Sequence, residues 1–240
     1  MSRIANAAAR LYGAAARVIP FDREPFATLY SAAYFAYKRF EDPFARLMEQ
    51  RPEPFDGGAI IDAGANIGYT SLLFARRGRV HAFEPEPANV RLLRRNVARS
   101  RHSDRIIVHA AALGASRGKA TLWQNRRHRG DHRMTTAAFA PASDTIEVDV
   151  VALDDVIDEP VAFVKLDVQG YELEVSRGME KLLAANERIR VAFELAPQSL
   201  RELGFEASDL VAFYETRGFV CERLGADSDD YVNVLCARRR

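Results

Sequence analysis

From residue 59 onward, short apolar runs alternate with stretches of helical spacing, and this alternation constrains the fold more than any other feature of the chain. The runs at 59–62, 80–84, 106–111, 161–167 and 189–195 each have the length of a buried strand. Helices fit between them at 69–76, 87–100, 171–185 and 207–217. Strands and helices in this rhythm build a parallel sheet covered on both faces. Two further strands, near 119–124 and 145–151, bracket an irregular basic stretch. The chain closes with strands at 218–224 and 231–237 around GADSDD, the pattern of an antiparallel hairpin. The expected class is α/β: a Rossmann-like, mostly parallel sheet with a C-terminal antiparallel hairpin, preceded by an N-terminal helical segment.

Residues 1–57 read as a helical extension ahead of a main domain at 58–240. The stretch 2–19 is alanine-rich and sets Arg3, Arg10 and Arg17 on one face. That face reads as solvated; a weak peripheral contact with an anionic membrane, a lid or a homodimer contact are the other uses open to it. A second helical stretch, about 25–48, carries Phe26, Leu29, Tyr30, Ala33, Tyr34 and Tyr37 at helical spacing, with Pro43 expected to break it. RPEPFDGG, 51–58, reads as a linker. With 48% apolar and 28% charged residues the chain is globular and not disordered. No run approaches the roughly 20 apolar residues that span a bilayer, and Arg10 and Arg17 interrupt any signal peptide. The expected location is therefore cytoplasmic. A net charge of +1 says nothing about partners. Cys221 and Cys236 make neither a disulfide framework nor a zinc site, and are expected to be buried reduced thiols.

The first strand runs into Asp62-Ala-Gly64-Ala-Asn66-Ile-Gly68. In an open α/β sheet, ligands bind at the carboxyl ends of strands, and the first strand–helix turn is the usual place. Gly64 and Gly68 allow backbone to approach a ligand, Asn66 tolerates positive φ, and the following helix points its amides at the same spot. Two cofactors compete for such a turn. A dinucleotide fingerprint aligned on Gly64 would meet Asn66 and Tyr69 where it needs Gly and Gly/Ala, and Asn66 would crowd a pyrophosphate. S-adenosylmethionine carries no phosphate. Asp62 suits its ammonium side, and Glu84, ending the second strand in HAFEPEP, suits a ribose diol through a bidentate carboxylate. An acid at this position also serves NAD, so Glu84 alone does not discriminate.

IIDAGANIGYTSLLFARRG, VHAFEPEPANVRLLRRN and VAFVKLDVQGYELEVSRG, with VDVVALDDVI between the last two, resemble the FkbM-type methyltransferase family over about residues 58–195. The resemblance implies a class I methyltransferase fold, S-adenosylmethionine as cofactor, and O-methylation of a sugar, glycan or natural-product hydroxyl. It places Asp62, Gly64, Ala65, Asn66 and Gly68 around the methionine part of the cofactor. Glu84 would take the ribose, Pro85 would shape the turn beneath it, and Ala111 would offer backbone near the adenine.

On the acceptor side, VKLDVQGYE puts Lys165 and Asp167 on one face of the fourth strand, with Glu172 in the first turn of the next helix. Glu194 ends the neighbouring strand. Such a cluster is costly to bury unpaired, so it is either an ion-pair network or part of the site. Asp167 is expected to lie between cofactor and acceptor, orienting one or taking the proton of the other, with Lys165, Glu172 and Glu194 contacting substrate. The basic stretch 124–136 supplies His132 as the second candidate base, and His128 and Arg129 as acceptor contacts. It holds no aromatic residue, which argues against nucleic acid, and the spacing of the carboxylates specifies no metal. An NAD-dependent oxidoreductase and a non-catalytic binding module on the same fold are the competing readings.

Overall fold

The computed structural model describes residues 25–125, 132–134, 144–224 and 231–239. The expectations for the alanine-rich segment 2–19, for His128 and for Arg129 lie outside the described residues. The chain enters through α1 (Phe26–Glu41) and α2 (Phe44–Gln50), separated at Pro43 as expected, and a 3-10 turn at Glu53–Phe55. The first half of the sheet domain follows as β1 (Ala59–Ala63), α3 (Tyr69–Phe74), β2 (Val80–Phe83), α4 (Pro87–Ala98) and β3 (Ile106–His109). Then come β4 (Ala112–Leu113), β5 (Gly118–Trp123), β6 (Arg133–Met134), β7 (Thr145–Val151) and α5 (Leu153–Val156). The second half contains β8 (Val161–Leu166), α6 (Glu172–Arg177), α7 (Glu180–Ala185), β9 (Arg190–Leu195), α8 (Pro197–Glu202), α9 (Ala207–Glu215), β10 (Phe219–Leu224) and β11 (Val232–Arg238).

Seven strands form the main sheet in the order β10-β11-β9-β8-β1-β2-β3. Pairs from β9 to β3 are parallel, and β11 is antiparallel to both of its neighbours. The chain runs outward from β1 through β2 to β3, then returns to β8 on the other side of β1. Strand order thus reverses between β1 and β8, and their carboxyl ends open the crevice where ligands bind in such sheets. Every residue of β1, β2 and β8 is buried, which is why these strands read as unbroken apolar runs.

The two sheet faces carry separate cores. One gathers Ile61, Val164, Leu166 and Phe193 under α6, α7 and α9. The other sets Ile60 and Phe163 against Phe44, Phe55 and Phe74, whose rings lie 4.5–6.0 Å apart between centroids. Phe44 and Phe55 precede β1, so residues expected as extension and linker are structural members of this core. Burying a phenylalanine such as Phe55 contributes about 1.5–3 kcal/mol.

Three further features depart from expectation. The helix read at 171–185 is two helices. They part at Gly178, where an added Cβ would lie 2.0 Å from the Gly114 carbonyl oxygen. The strands β4, β7, β5 and β6 form a second, four-stranded sheet with a small core of its own around Leu122, Met134 and Val148. Finally, Cys221 and Cys236 face each other across the β10–β11 pair and are joined in a disulfide, so the expectation of separate reduced thiols is corrected. Among the described residues, no helix is long and apolar enough to cross a membrane.

Candidate active site

The turn that leaves β1 is fastened to the end of β2. The amides of Gly64 and Ala65 donate to the Phe83 carbonyl at 3.0 and 2.9 Å, and the Asn66 amide donates to Glu84 Oε2 at 2.9 Å. Gly64 (φ +75°) has no room for a side chain: an added Cβ would lie 1.9 Å from the Asp167 carbonyl oxygen. Asn66 is itself left-handed (φ 51°), and its Nδ2 donates to the Tyr34 hydroxyl at 3.2 Å. Its Oδ1 is buried and has no hydrogen-bond partner among the described residues.

Glu84 is buried and also accepts from the Glu86 amide at 3.0 Å and Asn89 Nδ2 at 3.4 Å. Burial pushes its carboxyl up to about 7, against the pull of the Glu86 and Asn66 amides. An acid held in this state gains from any ligand that brings two hydroxyl donors.

Beneath the turn, Asp62 accepts from Thr70 Oγ1 at 2.8 Å and Ser71 Oγ at 2.5 Å, and its other oxygen faces Lys165 Nζ at 3.2 Å. Lys165 also donates to the Gly64 carbonyl at 3.2 Å and reaches Asp167 Oδ2 at 3.4 Å. Burial pulls the Lys165 ammonium down, but Asp62 and Asp167 more than offset this and hold it above its ordinary value. Burial likewise raises Asp167, and Lys165 and Lys38 reverse that, leaving it below the usual carboxylate range. Gln169, left-handed at φ 55°, spans two carboxylates: its Nε2 donates to Asp167 Oδ1 at 2.7 Å and Glu194 Oε1 at 3.4 Å.

These groups line a cavity of about 490 Å³, within the size range of small-molecule sites. Ala65, Asn66, Glu84 and Pro85 form one end, with Lys165, Asp167, Gln169 and Glu194 on the floor. The roof comes from α1 through Tyr34, Tyr37 and Lys38, and one wall from His132, Arg133 and Met134. The structure therefore brings together Gly64, Ala65, Asn66, Glu84, Pro85, Lys165, Asp167, Glu194 and His132.

Four expected contacts are corrected. Asp62 lies outside the cavity lining, one oxygen holding the turn to α3 and the other paired with the Lys165 ammonium. Gly68 begins α3 and backs onto Leu93. Ala111 follows β3 at the start of the small sheet, outside the cavity lining. Glu172 is buried outside the cavity lining, and its two oxygens accept from the Val168 and Gly170 amides at 3.0 and 2.9 Å, so it locks the 167–170 turn. His132, the second expected base, lines the cavity, and its Nδ1 accepts from the Asn125 amide at 3.0 Å.

Sequence reasoning missed the roof. Tyr34, Tyr37 and Lys38 lie on one face of a helix whose period was read correctly, but periodicity does not say what a face covers. The helix is seated by Asn96 Nδ2, which bridges Ser31 Oγ at 3.1 Å and the Ile67 carbonyl at 2.8 Å.

The family profile described as "Methyltransferase FkbM domain" matches residues 62–221, from the donor-side turn to β10. The chain belongs to the FkbM methyltransferase family. S-adenosylmethionine is the cofactor of that family. Among curated relatives of the chain, "Methyltransferase 1" of Beauveria bassiana (strain ARSEF 2860) is 30% identical over 152 residues, covering 53% of the chain and 61% of the relative. "Methyltransferase sdnD" of Sordaria araneosa is 26% identical and covers 87% of the chain and 90% of the relative. "Hexuronic acid methyltransferase AglP" of Haloferax volcanii is 30% identical over 146 residues, 60% of the chain and 59% of the relative. A crystal structure of methyltransferase FkbM from Methylobacillus flagellatus KT superposes with a TM-score of 0.53 at 18% identity. It covers 96% of this chain and 58% of that one, and at this identity speaks for the fold alone. The chain thus spans about three fifths of the first of these relatives and of this solved structure.

Proposed function

We propose that this chain transfers a methyl group from S-adenosylmethionine to a hydroxyl of a sugar, glycan or natural-product acceptor. The observation that carries the reading is the single cavity that joins the Gly64–Glu84 end to the Asp167–Glu194 floor. The residues at the first end suit the donor. Glu84 is a buried acceptor suited to a ribose diol, the unsatisfied Oδ1 of Asn66 is suited to an ammonium, and Asn66 stands where a dinucleotide fingerprint calls for glycine. When bound, the cofactor supplies an electrophilic methyl group on a sulfonium. The protein's part is to hold the acceptor oxygen in line with that methyl, to exclude water under α1, and to receive the hydroxyl proton; positioning alone contributes several kcal/mol.

A second reading, methylation of an acceptor carboxylate, is favoured by the cations of Lys38 on the roof and Arg133 on the wall, the latter paired with Glu202 at 2.9 Å, and fits the hexuronic acid named for the Haloferax relative. Calorimetric titration with S-adenosylmethionine and with NAD, followed by transfer of labelled methyl to a panel of p-nitrophenyl glycosides and glucuronides, tests both. Tight NAD binding without S-adenosylmethionine binding would refute the methyltransferase reading. Base-labile label would mark an ester and favour the second reading over the first.

A further inference from the structure

The two carboxylates on the cavity floor are treated differently by their neighbours. Asp167 stands 3.4 Å from the ammonium of buried Lys165 and takes the short arm of the Gln169 amide at 2.7 Å. It is a charge already compensated. Glu194, on the adjacent strand, receives the long arm of the same amide at 3.4 Å, and the charges of Asp167 and Glu172 act on it more strongly than those of Lys38 and Lys165. Gln169 holds its left-handed backbone because Glu172 grips the amides on either side of it. A side-chain-bearing residue kept in that conformation at a binding site is a recurrent sign of positioning.

We propose, resting on the methyltransferase reading above, that Glu194 accepts the proton of the acceptor hydroxyl and that Gln169 is the positioning residue that aims it beside Asp167. In that step the acceptor oxygen forms a bond to the methyl carbon, and the methyl–sulfur bond breaks with its electron pair left on sulfur. The hydroxyl proton passes to a Glu194 oxygen and leaves later to solvent. The choice over Asp167 follows from basicity, because a general base works best when its pKa lies near the working pH. Lys165 makes Asp167 too weak a base, whereas burial, then Asp167 and Glu172, push the Glu194 carboxyl up to about 8. The groups that face Glu194 are Asp167, Glu172 and Lys165 from below and Lys38 from α1, with His132 and Tyr231 lining the same cavity.

The test compares wild type with Glu194→Gln, Asp167→Asn and Gln169→Gly, the last removing the amide at a φ that glycine adopts without strain. Labelled methyl transfer to the p-nitrophenyl glycosides is measured across about pH 5.5–9.5, alongside S-adenosylmethionine calorimetry and carbon-13 titration of glutamate-labelled protein. Glu194→Gln should bind the donor within about threefold of wild type, lose at least about 100-fold in kcat with little change in acceptor KM, and lose the rise of rate with pH toward about 8 that the wild type shows. One glutamate carboxyl should titrate near 8 in wild type, vanish in Glu194→Gln and move in Gln169→Gly. A Glu194→Gln enzyme with near wild-type rate and an unchanged pH profile overturns the proposal, as does a Glu194 carboxyl that titrates in the ordinary range. Wild type that binds no S-adenosylmethionine fails the methyltransferase reading itself. Wild type that binds donor but labels no glycoside leaves the carbon titration to decide.

Discussion

Replacing Lys165 by methionine isolates the ion-pair network that joins the two ends of the cavity. The lysine is 4% exposed, and its ammonium meets Asp62 at 3.2 Å, the Gly64 carbonyl at 3.2 Å and Asp167 at 3.4 Å. Methionine fills a similar volume, so the loss is electrostatic: the buried carboxylate of Asp62, the half-buried one of Asp167 and one carbonyl are left without their cation. Removing one partner of a buried pair costs about 3–5 kcal/mol, and here one cation serves two acids. For a chain of this size that corresponds to a fall in Tm of roughly 6–20 °C. The variant's carboxylates can escape only by taking up protons, so the deficit should be largest at neutral pH and shrink toward about pH 5. The sign follows from linkage. Without the lysine, the carboxyl of Asp167 rises in the folded state, and a raised acid stabilises only below its unfolded pKa and loses that contribution as pH rises. Urea denaturation of both proteins at several pH values reads this directly. Asp62→Asn added to Lys165→Met should recover part of the loss. A Lys165→Met protein within about 1 kcal/mol of wild type at pH 7, or one whose deficit grows on acidification, would refute the network as described.

Glu84→Gln should weaken S-adenosylmethionine roughly 10–100-fold and abolish the pH dependence of its binding, since two good hydrogen bonds to a charged acceptor are lost. Wild-type affinity should rise with pH up to about 7 and then level, with proton release on binding at pH 6 seen by calorimetry in buffers of different ionisation enthalpy. The same raised acid should make the ligand-free protein less stable at pH 8 than at pH 5, by up to roughly 3 kcal/mol from this group, and Glu84→Gln should flatten that slope. Gly64→Ala puts a Cβ 1.9 Å from the Asp167 carbonyl oxygen at a φ of +75°, so a loss above about 3 kcal/mol with no donor binding is expected from thermal melts and calorimetry. Reducing the Cys221–Cys236 bond, which spans 15 residues, should cost about 3 kcal/mol in urea denaturation without altering donor affinity.

The main sheet was legible in the sequence because its inner strands are buried on both faces and must be apolar throughout. Ile60 and Ile61, or Val161 to Val164, could be little else. The strands β4 and β6 were not legible, since two residues carry no period. The broken helix at Gly178 depends on the approach of Gly114 from another part of the chain, which no local pattern records. In the site, Glu84 and Asn66 were readable from turn chemistry. Glu172 was misread because an acid in the first turn of a helix looks the same whether its oxygens face a ligand or the preceding loop. Asp62 was misread for a similar reason: its partners Thr70 and Ser71 from α3 and Lys165 from β8 meet only in the folded chain. Gln169 carried no sequence signal beyond its place before a glycine, and its bridging role appears only when β8 and β9 stand side by side.

The absence of a side chain at Gly64, where donor turn and acceptor turn touch, has a consequence for evolution and engineering. Floor and donor end are in van der Waals contact through backbone, so neither can drift without the other, and substitutions there are paid in fold as well as in rate. The roof is built differently. Tyr37 and Lys38 from α1 and Arg133 from β6 reach the cavity from elements outside the main sheet, whose side chains can be exchanged one at a time. Libraries that vary these positions while leaving 62–68 and 165–172 untouched should retarget the acceptor while retaining the donor, and natural divergence under changing substrates is expected to have followed the same division.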